Sequence, residues 1–382
     1  MATRRTVRFG IIGLGLMGRE FASAIARWCH LLGDGPVPLL VGICDSNPAS
    51  HTWFTDNFPG LRIVTTSYQD LLSSSDIEAI YCAVPHNLHE KIYTDVIRAG
   101  KHLMGEKPFG IDQKANASIL AALAEKPGVF VRCSSEFPYF PAAQKLISWI
   151  QQDRFGRIIE VRAGFNHSSD MDVNKPINWK RMVDINGEYG CMGDLGIHTQ
   201  HIPFRVGWIP KTVHASLNKV VSSRPDGKGG NAPCLTWDNA SLSCTVDHAE
   251  GYTFPMVLDT RRMAPGMTNT WYIEVDGLKA SARFSTRDPK SFYSLTSGEK
   301  EQPWCRLDLG YTPAVAGITG SIFEFGFTDA VLQMWAAFLL ELDRGTPPVF
   351  GCFTPEETRL SHALLTAALD SHKHGSIEKV RA

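Results

Sequence analysis

A G-x-G-x-x-G pattern follows the apolar run Val7–Ile12 and opens an amphipathic stretch. In this pattern the first glycine permits a tight turn, the second lets backbone approach a pyrophosphate, and the third lets a helix pack closely on a strand. The helix start supplies free N–H groups and a positive dipole for phosphates. We predict a dinucleotide site here, the alternative being an ordinary glycine-rich turn. The residues expected to contact the phosphates are Gly13, Gly15, Leu16, Met17 and Gly18.

The acid that holds the adenosine ribose in such sites ends the second strand, and Asp45 follows the apolar run Leu39–Cys44. Asp45 lies 32 residues after Gly13, where about 20 is usual, so an insertion around residues 30–38 must lengthen the helix or its loop. Neither Ser46 nor the next residue is an arginine that could accommodate a 2′-phosphate, which the carboxylate would repel. We therefore expect NAD rather than NADP, with Asp45 and Ser46 among the cofactor contacts. The alternative is that Asp45 caps the next helix.

Oxidation of a secondary alcohol requires a base for the hydroxyl proton and a hydride acceptor close to the carbon. His198 titrates near neutral pH and could take the proton. Asp194 lies four residues earlier, on the same face if this segment is helical, and could orient the imidazole or bind a neighbouring hydroxyl. Lys107 follows a strand and could donate to the substrate oxygen or, if buried, compete as proton acceptor. The structural alternatives are a core histidine and a solvated lysine.

A metal site is the competing interpretation of the same segment. Asp194, His198 and His201 recur at helical spacing, and two imidazoles with a carboxylate suit a divalent cation. One helix face rarely directs three ligands without help from elsewhere, so we predict no metal. His201 is then a pocket or packing residue.

The first 133 residues alternate short apolar runs with amphipathic stretches, which indicates a doubly wound parallel α/β sheet. The predicted strands are Val7–Ile12, Leu39–Cys44, Ile77–Val84, His102–Gly105 and Val129–Cys133. The predicted helices are Met17–Cys29, Leu88–Ala99 and Gln113–Glu125. We assign residues 1–135 to an NAD-binding Rossmann domain.

Residues 136–382 are predicted to form an α+β domain with a large open, mostly antiparallel sheet. One helix, Pro141–Gln152, precedes a series of strand-like segments, and two helices close the chain. The strand-like segments are Arg157–Phe165, Val213–Val221, Ala240–Val246, Met256–Asp259 and Thr270–Val275, and the closing helices are Thr328–Asp343 and Pro355–His372.

Composition restricts the classes of function. The 382 residues are 43% hydrophobic and carry a net charge of −1, so the chain is globular without a basic surface for nucleic acid or an anionic membrane. No apolar run reaches the roughly 18–20 residues that a transmembrane helix needs. Nine cysteines are scattered singly without a CxxC pair. We expect a cytoplasmic protein.

Four segments together resemble the Gfo/Idh/MocA family (glucose–fructose oxidoreductase and inositol dehydrogenase). Ala83–His89 is similar to the family's strand-end A-T-P-x-x-x-H, with Val84 for threonine, and Gly105–Pro108 contains its E-K-P. Gly190–His198 is similar to G-G-x-x-x-D-x-G-x-H, with Cys191 for a glycine, and Trp179–Arg181 matches a W-R/K segment at the family's substrate pocket. The resemblance extends over essentially the whole chain.

The resemblance implies roles for named residues. The catalytic trio is Lys107, Asp194 and His198, with His198 or Lys107 as the acid/base. Further cofactor contacts are Val84, Pro85, Asn87, His89, Glu106, Lys107 and Glu136, the last with a hinge glutamate as its alternative. Substrate contacts are Lys107, Trp179, Lys180, Asp194 and His198.

Other polar and aromatic residues could reach a polyhydroxylated ligand, although solvated or core positions are the commoner fate of such residues. They are Tyr139, Asn166, His167, the loop Asp170–Asp172, Trp271, Trp304 and Trp335.

The expected function is an NAD-dependent dehydrogenase that moves a hydride between the CH–OH of a sugar, polyol or anhydrosugar and nicotinamide. The resemblance also implies that residues 136–382 bind the substrate and mediate oligomerisation, so that the protein is a homodimer or homotetramer. Two alternatives stay open: a glycosidase that oxidises its substrate transiently with bound NAD, and an NAD-binding sensor without chemistry.

Overall fold

The computed structural model describes residues 4–298, 300–309, 313–320, 322–323, 325–347 and 349–381. The elements of the first part of the chain are β1 Thr6–Ile12, α1 Leu16–Ala26, β2 Val37–Cys44, α2 Thr52–Asn57, β3 Ile63–Thr65, α3 Tyr68–Ser73, β4 Ala79–Cys82, α4 His89–Arg98, β5 His102–Gly105, α5 Gln113–Ala124 and β6 Val131–Cys133.

The elements that follow are α6 Pro141–Gln151, β7 Ile158–Asn166, α7 Val183–Asn186, α8 Cys191–Arg205, β8 Pro210–Asn218, β9 Ser223–Pro225, β10 Asn231–Pro233, β11 Asn239–Asp247, β12 Thr253–Arg261, β13 Thr270–Gly277, β14 Ala280–Ser285, β15 Ser291–Thr296, β16 Cys305–Asp308, α9 Phe327–Arg344, α10 Pro355–His374 and β17 Glu378–Lys379.

The first sheet has six strands in the order β3-β2-β1-β4-β5-β6, and each neighbouring pair is parallel. The central strand β4 is buried along its whole length, as expected for a parallel sheet covered by helices on both faces. The predicted doubly wound Rossmann fold is therefore confirmed. The carboxyl ends of β1, β2, β4 and β5 carry the glycine turn, Asp45, the Val84 loop and the Glu106–Lys107 segment.

One detail of this sheet differs from the prediction, and a second decides between two alternatives that the sequence left open. Strand β3 and the helices flanking it were not predicted, because Ile63–Thr65 is a three-residue, partly exposed strand without an apolar run. The long connection between β1 and β2 comes from the loop after α1, not from a longer helix. That loop is held by main-chain bonds from Leu32 N to Ala316 O (2.8 Å) and from Ile318 N to His30 O (2.9 Å).

The second large sheet has nine strands in the order β16-β15-β14-β13-β7-β12-β11-β8-β17, and only β7 and β12 pair in parallel among those described. The predicted open, mostly antiparallel sheet is confirmed. Alternate residues are buried, as in β11, where Ala240, Leu242, Cys244 and Val246 face inward. Helix α8 packs against β7, β11, β12 and β13.

The chain forms two compact units, the first comprising Met1–Gly110, Lys114–Tyr139 and Tyr311–Pro355. The second comprises Ile111–Gln113, Phe140–Gly310 and Glu356–Ala382. The predicted division after residue 135 assigned α9 to the second domain, whereas its contacts lie in the first unit. The reason is apolar packing: the Trp335 ring stacks on Phe21 with centroids 3.7 Å apart. Trp335 is thus a core residue of this unit, buried to 1% exposure.

Two further findings concern membranes and thiols. Among the described residues, no helix combines the length and the apolar character needed to cross a membrane. All nine cysteines are free thiols, and seven of them are buried.

Candidate active site

The glycine turn has the conformation that its sequence requires. Gly13 has φ +94°, and a Cβ there would lie 2.3 Å from the carbonyl oxygen of Ala83. A Cβ on Gly18 would lie 2.3 Å from the carbonyl oxygen of Gly13, which explains the close packing of helix and strand. A Cβ on Gly15 would meet nothing within 4 Å, and the start of α1 has neither a capping side chain nor an acidic residue in its first turn. The turn therefore fits a phosphate group.

Asp45 lies beside this turn. Its Oδ2 accepts a hydrogen bond from the backbone N of Leu14 (2.8 Å), and its Oδ1 accepts one from the N of Asn47 (2.9 Å). Asn47, not Asp45, caps the short 3-10 helix that follows, by accepting from the N of Ala49. The structure thus favours the ribose-binding interpretation of Asp45 over the capping one. Ser46 is exposed next to it.

The loop after β4 is fixed by His89. The buried imidazole contacts the Val84 carbonyl oxygen through Nε2 (3.0 Å) and the backbone N of Gly110 through Nδ1 (3.4 Å). This pair of contacts fits a neutral ring with its proton on Nε2. His89 was predicted to contact the cofactor, but these bonds connect the loop after β4 to the segment after β5. Pro85 is partly exposed and Asn87 exposed on the same loop.

Two buried carboxyls, those of Glu106 and Glu136, belong to the first unit, and Lys107, next to Glu106, is partly exposed. Glu106 accepts a hydrogen bond from the Tyr81 hydroxyl (2.7 Å), and its main-chain oxygen accepts one from Tyr93 (2.9 Å). Burial, reinforced by the charge of Glu106, raises the pKa of Glu136 to about 8, although a backbone hydrogen bond and Lys107 oppose the shift. Glu136 is therefore protonated in neutral solution and can donate a hydrogen bond. This protonation state was not predicted from the sequence.

Helix α8 carries the second group of predicted residues. Asp194 lies near its start and His198 one turn later, and both are buried, at 2% and 4% exposure. The helix can begin only after a glycine, because Gly190 has φ +59° and a Cβ there would lie 2.6 Å from the backbone N of Trp237. The predicted helical spacing of Asp194 and His198 is confirmed.

Two cations contact the same carboxylate oxygen of Asp194. The Lys180 Nζ donates to Oδ2 at 2.8 Å, and the Arg262 Nη2 donates to it at 3.3 Å. Lys180 is on the 3-10 turn Trp179–Arg181, and its main-chain N donates to the side chain of Asn178. The predicted residue Lys180 thus contacts this helix, and its ammonium lies 5.8 Å from the centre of the Trp179 ring. Arg262 was not predicted, because nothing in the local sequence marks it.

His198 is positioned through its main chain and its ring. The indole Nε1 of Trp271 donates to the His198 carbonyl oxygen at 2.8 Å, and the Phe165 ring meets the imidazole edge-on with centroids 5.1 Å apart. Trp271 is fully buried, so it belongs to the core and is not a platform for a sugar ring. His201 is fully buried on the same helix.

The Asp170–Asp172 loop is used for structure. Burial alone would raise the pKa of Asp170, but the Arg181 guanidinium (2.5 Å) and the Lys175 ammonium (3.1 Å) hold it below its usual range. Arg224 donates to the carbonyl oxygens of Asp170 and Asp172, both at 2.6 Å. These bonds explain why Asp170 is buried and give it a structural role, while Met171 and Asp172 of the same loop are exposed.

The other candidate residues are dispersed. Tyr139 is buried and lies 3.4 Å from the Cys352 sulfur, and Asn166 is buried at the end of β7. His167 packs edge-on against Phe165. Trp304 is 40% exposed and covered on one side by Arg283. Among the described residues, no group of three or more His, Cys, Asp or Glu side chains is arranged to hold a metal ion.

Residues 7–135 match the model of a family described as an oxidoreductase family with an NAD-binding Rossmann fold, Gfo/Idh/MocA. This match agrees with the resemblance noted from the motifs: residues 7–135 are similar to the NAD-binding domain of the Gfo/Idh/MocA oxidoreductases. The chain therefore carries an NAD-binding domain of the oxidoreductase class.

Among curated proteins, the chain is 26% identical over 261 residues to levoglucosan dehydrogenase of Pseudarthrobacter phenanthrenivorans, covering 68% of this chain and 64% of that protein. It is 26% identical to inositol 2-dehydrogenase of Rhizobium meliloti, over 78% of this chain and 81% of that protein. A solved structure of levoglucosan dehydrogenase with NADH and L-sorbose superposes with a TM-score of 0.87, at 20% identity, over 99% of both chains. At that identity the superposition supports the fold alone.

Proposed function

We propose that the protein is an NAD-dependent dehydrogenase that transfers a hydride between a CH–OH group of a sugar, polyol or anhydrosugar and the nicotinamide. The observation that carries the proposal is the buried turn of α8. There, one carboxylate oxygen of Asp194 accepts hydrogen bonds from Lys180 and Arg262. One turn later, the main-chain oxygen of His198 accepts a hydrogen bond from Trp271 of the sheet. Two relatives are named for levoglucosan and inositol, both polyhydroxylated ring compounds, which supports this substrate class.

Cofactor binding is assigned to groups of the first unit. The turn at Gly13–Gly18 fits the pyrophosphate, and Asp45 is oriented by the N–H groups of Leu14 and Asn47 to accept a ribose hydroxyl. A carboxylate at this position repels a 2′-phosphate, so we propose NAD over NADP. When bound, NAD supplies the hydride acceptor at C4 of its nicotinamide.

The chain's own residues manage the proton and the orientation of the substrate. His198 accepts the hydroxyl proton in its neutral form, and Lys107 donates to the reacting oxygen or replaces His198 as acceptor. Asp194, held by Lys180 and Arg262, accepts a hydrogen bond from a neighbouring hydroxyl. Lys180, with 38% of its side chain exposed, donates to the ligand beside Trp179. The proposal assigns Lys107, Asp194 and His198 to one reaction.

Reduced-nicotinamide absorbance tests the proposal. Purified protein is assayed with a panel of sugars, polyols and anhydrosugars, with NAD and NADP in parallel. We expect NAD-dependent absorbance that falls by about 100-fold or more in both Lys107→Ala and His198→Ala, the range of an acid/base contribution. NADH binding, measured by fluorescence, should persist in His198→Ala. Turnover unchanged in either variant would refute the catalytic assignment.

The same assay separates the alternative functions. A glycosidase that oxidises transiently would hydrolyse glycosides without accumulating NADH. A sensor would bind NAD and remain silent across the panel.

We further propose a cytoplasmic homodimer or homotetramer that binds neither nucleic acid nor membrane. The near-neutral charge and nine free thiols support this proposal. Light scattering coupled to size exclusion measures the assembly, and a monomer at micromolar concentration would refute that part of the proposal.

A further inference from the structure

Arg262 is the buried cation that joins the start of α8 to the nine-stranded sheet. It lies directly after β12, and its side chain is 3% exposed. Its Nη1 donates to the main-chain oxygen of Lys180 at 2.9 Å. Its Nη2 lies 3.2 Å from the Asn186 side-chain oxygen and 3.3 Å from the Asp194 carboxylate. The guanidinium is thus tied to three segments that meet at Asp194.

The two cations on Asp194 differ in their freedom to move. Lys180 is 38% exposed and has a flexible stem, so its ammonium can turn from Asp194 toward a ligand hydroxyl. Arg262 is buried and planar, and its other hydrogen bonds leave it no alternative orientation. A carboxylate buried to the same extent as Asp194 is costly without a partner. Arg262 therefore compensates its charge whenever Lys180 turns away.

We propose that Arg262 is a positioning residue that keeps Asp194 ionised, so that Asp194 acts as a hydrogen-bond acceptor for a substrate hydroxyl and not as the proton acceptor of the reaction. The proposal rests on the proposed function and adds a division of roles within it. Proton transfer then falls to His198 or Lys107, while Asp194 and Lys180 select a substrate with a hydroxyl beside the reacting carbon.

The other charged groups near Arg262 do not take over this role. Asp170 and Arg181 pair with each other at 2.5 Å. Burial raises the pKa of the Cys191 thiol to about 11, so it carries no charge in neutral solution. The charge of Arg262 also contributes to lowering the pKa of Asp170, but the carboxylate to which its guanidinium donates a hydrogen bond is that of Asp194.

The test compares Arg262→Met and Arg262→Lys with Arg224→Met as the matched control. Arg224 is an equally buried arginine of the same unit that donates to loop carbonyls. We expect Arg262→Met to lower kcat by about 100-fold, because Asp194 loses the cation that stays in place when Lys180 turns toward the substrate. Arg262→Lys should recover about tenfold of that loss, because a cation is restored without the bidentate geometry.

The pH profile of kcat distinguishes an effect on the charge of Asp194 from a purely structural effect of the substitution. In Arg262→Met the acidic limb of kcat should move up and become steeper, because the pKa of Asp194 rises when it loses a cation, so that Asp194 must be ionised in addition to the base being neutral. Affinity for NADH should stay within about twofold of wild type. A loss no larger than in Arg224→Met, an unmoved acidic limb, or no recovery with lysine would each overturn the proposal.

A measurement without turnover keeps the inference separate from the proposed function. If no substrate is oxidised by wild type, the proposed function fails. Thermal unfolding then tests whether Arg262 stabilises the charge of Asp194. Arg262→Met should lower Tm by roughly 5 °C, and the double variant Arg262→Met/Asp194→Asn should recover about half of this loss, because the buried carboxylate that lost its fixed cation is replaced by a neutral amide. Additive losses would overturn the proposal, and a Met variant that does not fold is replaced by Arg262→Gln in the same cycle.

Discussion

The glycine turn and the start of α8 hold functional groups in different ways. At the turn, the positions are set by main chain: Gly13 has a positive φ, and Gly18 touches the Gly13 carbonyl with no room for a side chain. At α8, Asp194 and His198 are held by Arg262 and Trp271, which lie about 70 residues further along the chain. A phosphate needs N–H groups and space, whereas an acid and a base need defined charges and orientations. The first requirement is met locally and the second only by tertiary structure.

The largest expected effect concerns Glu136. This residue is an exception to the main-chain character of the first unit, because its protonation depends on the burial of its side chain. Its pKa is about 8 in the folded state against a usual 4.5. Between these values the unfolded chain loses the proton and the native state keeps it, so stability falls as pH rises and is lowest above about pH 8. Glu136→Gln removes this penalty. Between pH 5 and 9, the fall in unfolding free energy should shrink by about 3–5 kcal/mol.

Urea unfolding at both pH values measures the effect of Glu136→Gln. Glu301→Gln, at an exposed position, is the control and should leave the pH dependence unchanged. An equal pH dependence of stability in Glu136→Gln and wild type would show that Glu136 does not keep its proton in the native state.

The main-chain character of the glycine turn is tested by Gly13→Ala. The added Cβ meets a backbone oxygen at 2.3 Å in a region of φ that L-residues avoid. We expect a loss of about 3 kcal/mol of stability and at least a tenfold weaker NADH affinity. Gly60→Ala, where a Cβ meets nothing within 4 Å, should change neither property. Equal behaviour of the two variants in unfolding and NADH titration would contradict the comparison.

The side-chain character of α8 is tested by Trp271→Phe, which keeps a buried ring but removes the donor to the His198 carbonyl. We expect a loss of about 1–2 kcal/mol and a decrease in kcat of about fivefold, with unchanged NADH affinity. Trp208→Phe, at a buried tryptophan that packs on Phe254, is the control for ring contraction. If both variants lost kcat equally, the hydrogen bond would have no positioning role.

The smallest effect concerns Asp45, the side chain on which the cofactor preference depends. Asp45→Asn keeps an acceptor for the Leu14 N–H but removes the charge that faces the ribose. NAD affinity should fall by about tenfold, or 1.4 kcal/mol, and NADP affinity should rise relative to NAD. Asp56→Asn, at an exposed position in α2, is the control. Isothermal titration with both cofactors checks this prediction, and an unchanged ratio would remove the argument for NAD from Asp45.

The predictable parts of the structure are those with local signals. Strand β5 was predicted with its observed bounds, because His102–Gly105 is an apolar run between two helices, and the turn at Gly13 followed from glycine spacing. Strand β3 was missed because three partly exposed residues give no period. The same limit applies to the site.

The helical spacing of Asp194 and His198 is local and was predicted, whereas Arg262 was not. It follows β12 as one of two successive arginines, and only the folded sheet brings it to α8. The protonated state of Glu136 likewise depends on burial beside Glu106, which adjacent sequence does not encode.

The most direct test of the proposed reaction follows the hydrogen itself. Wild-type protein is incubated with NAD and a polyol or anhydrosugar from the panel that carries deuterium on its CH–OH carbons, and the reduced cofactor is examined by mass spectrometry and NMR. The account predicts one deuterium at C4 of the nicotinamide for each substrate oxidised, and none in His198→Ala. Reduced cofactor without deuterium, or no reduced cofactor with any panel member while NAD is bound, would contradict it.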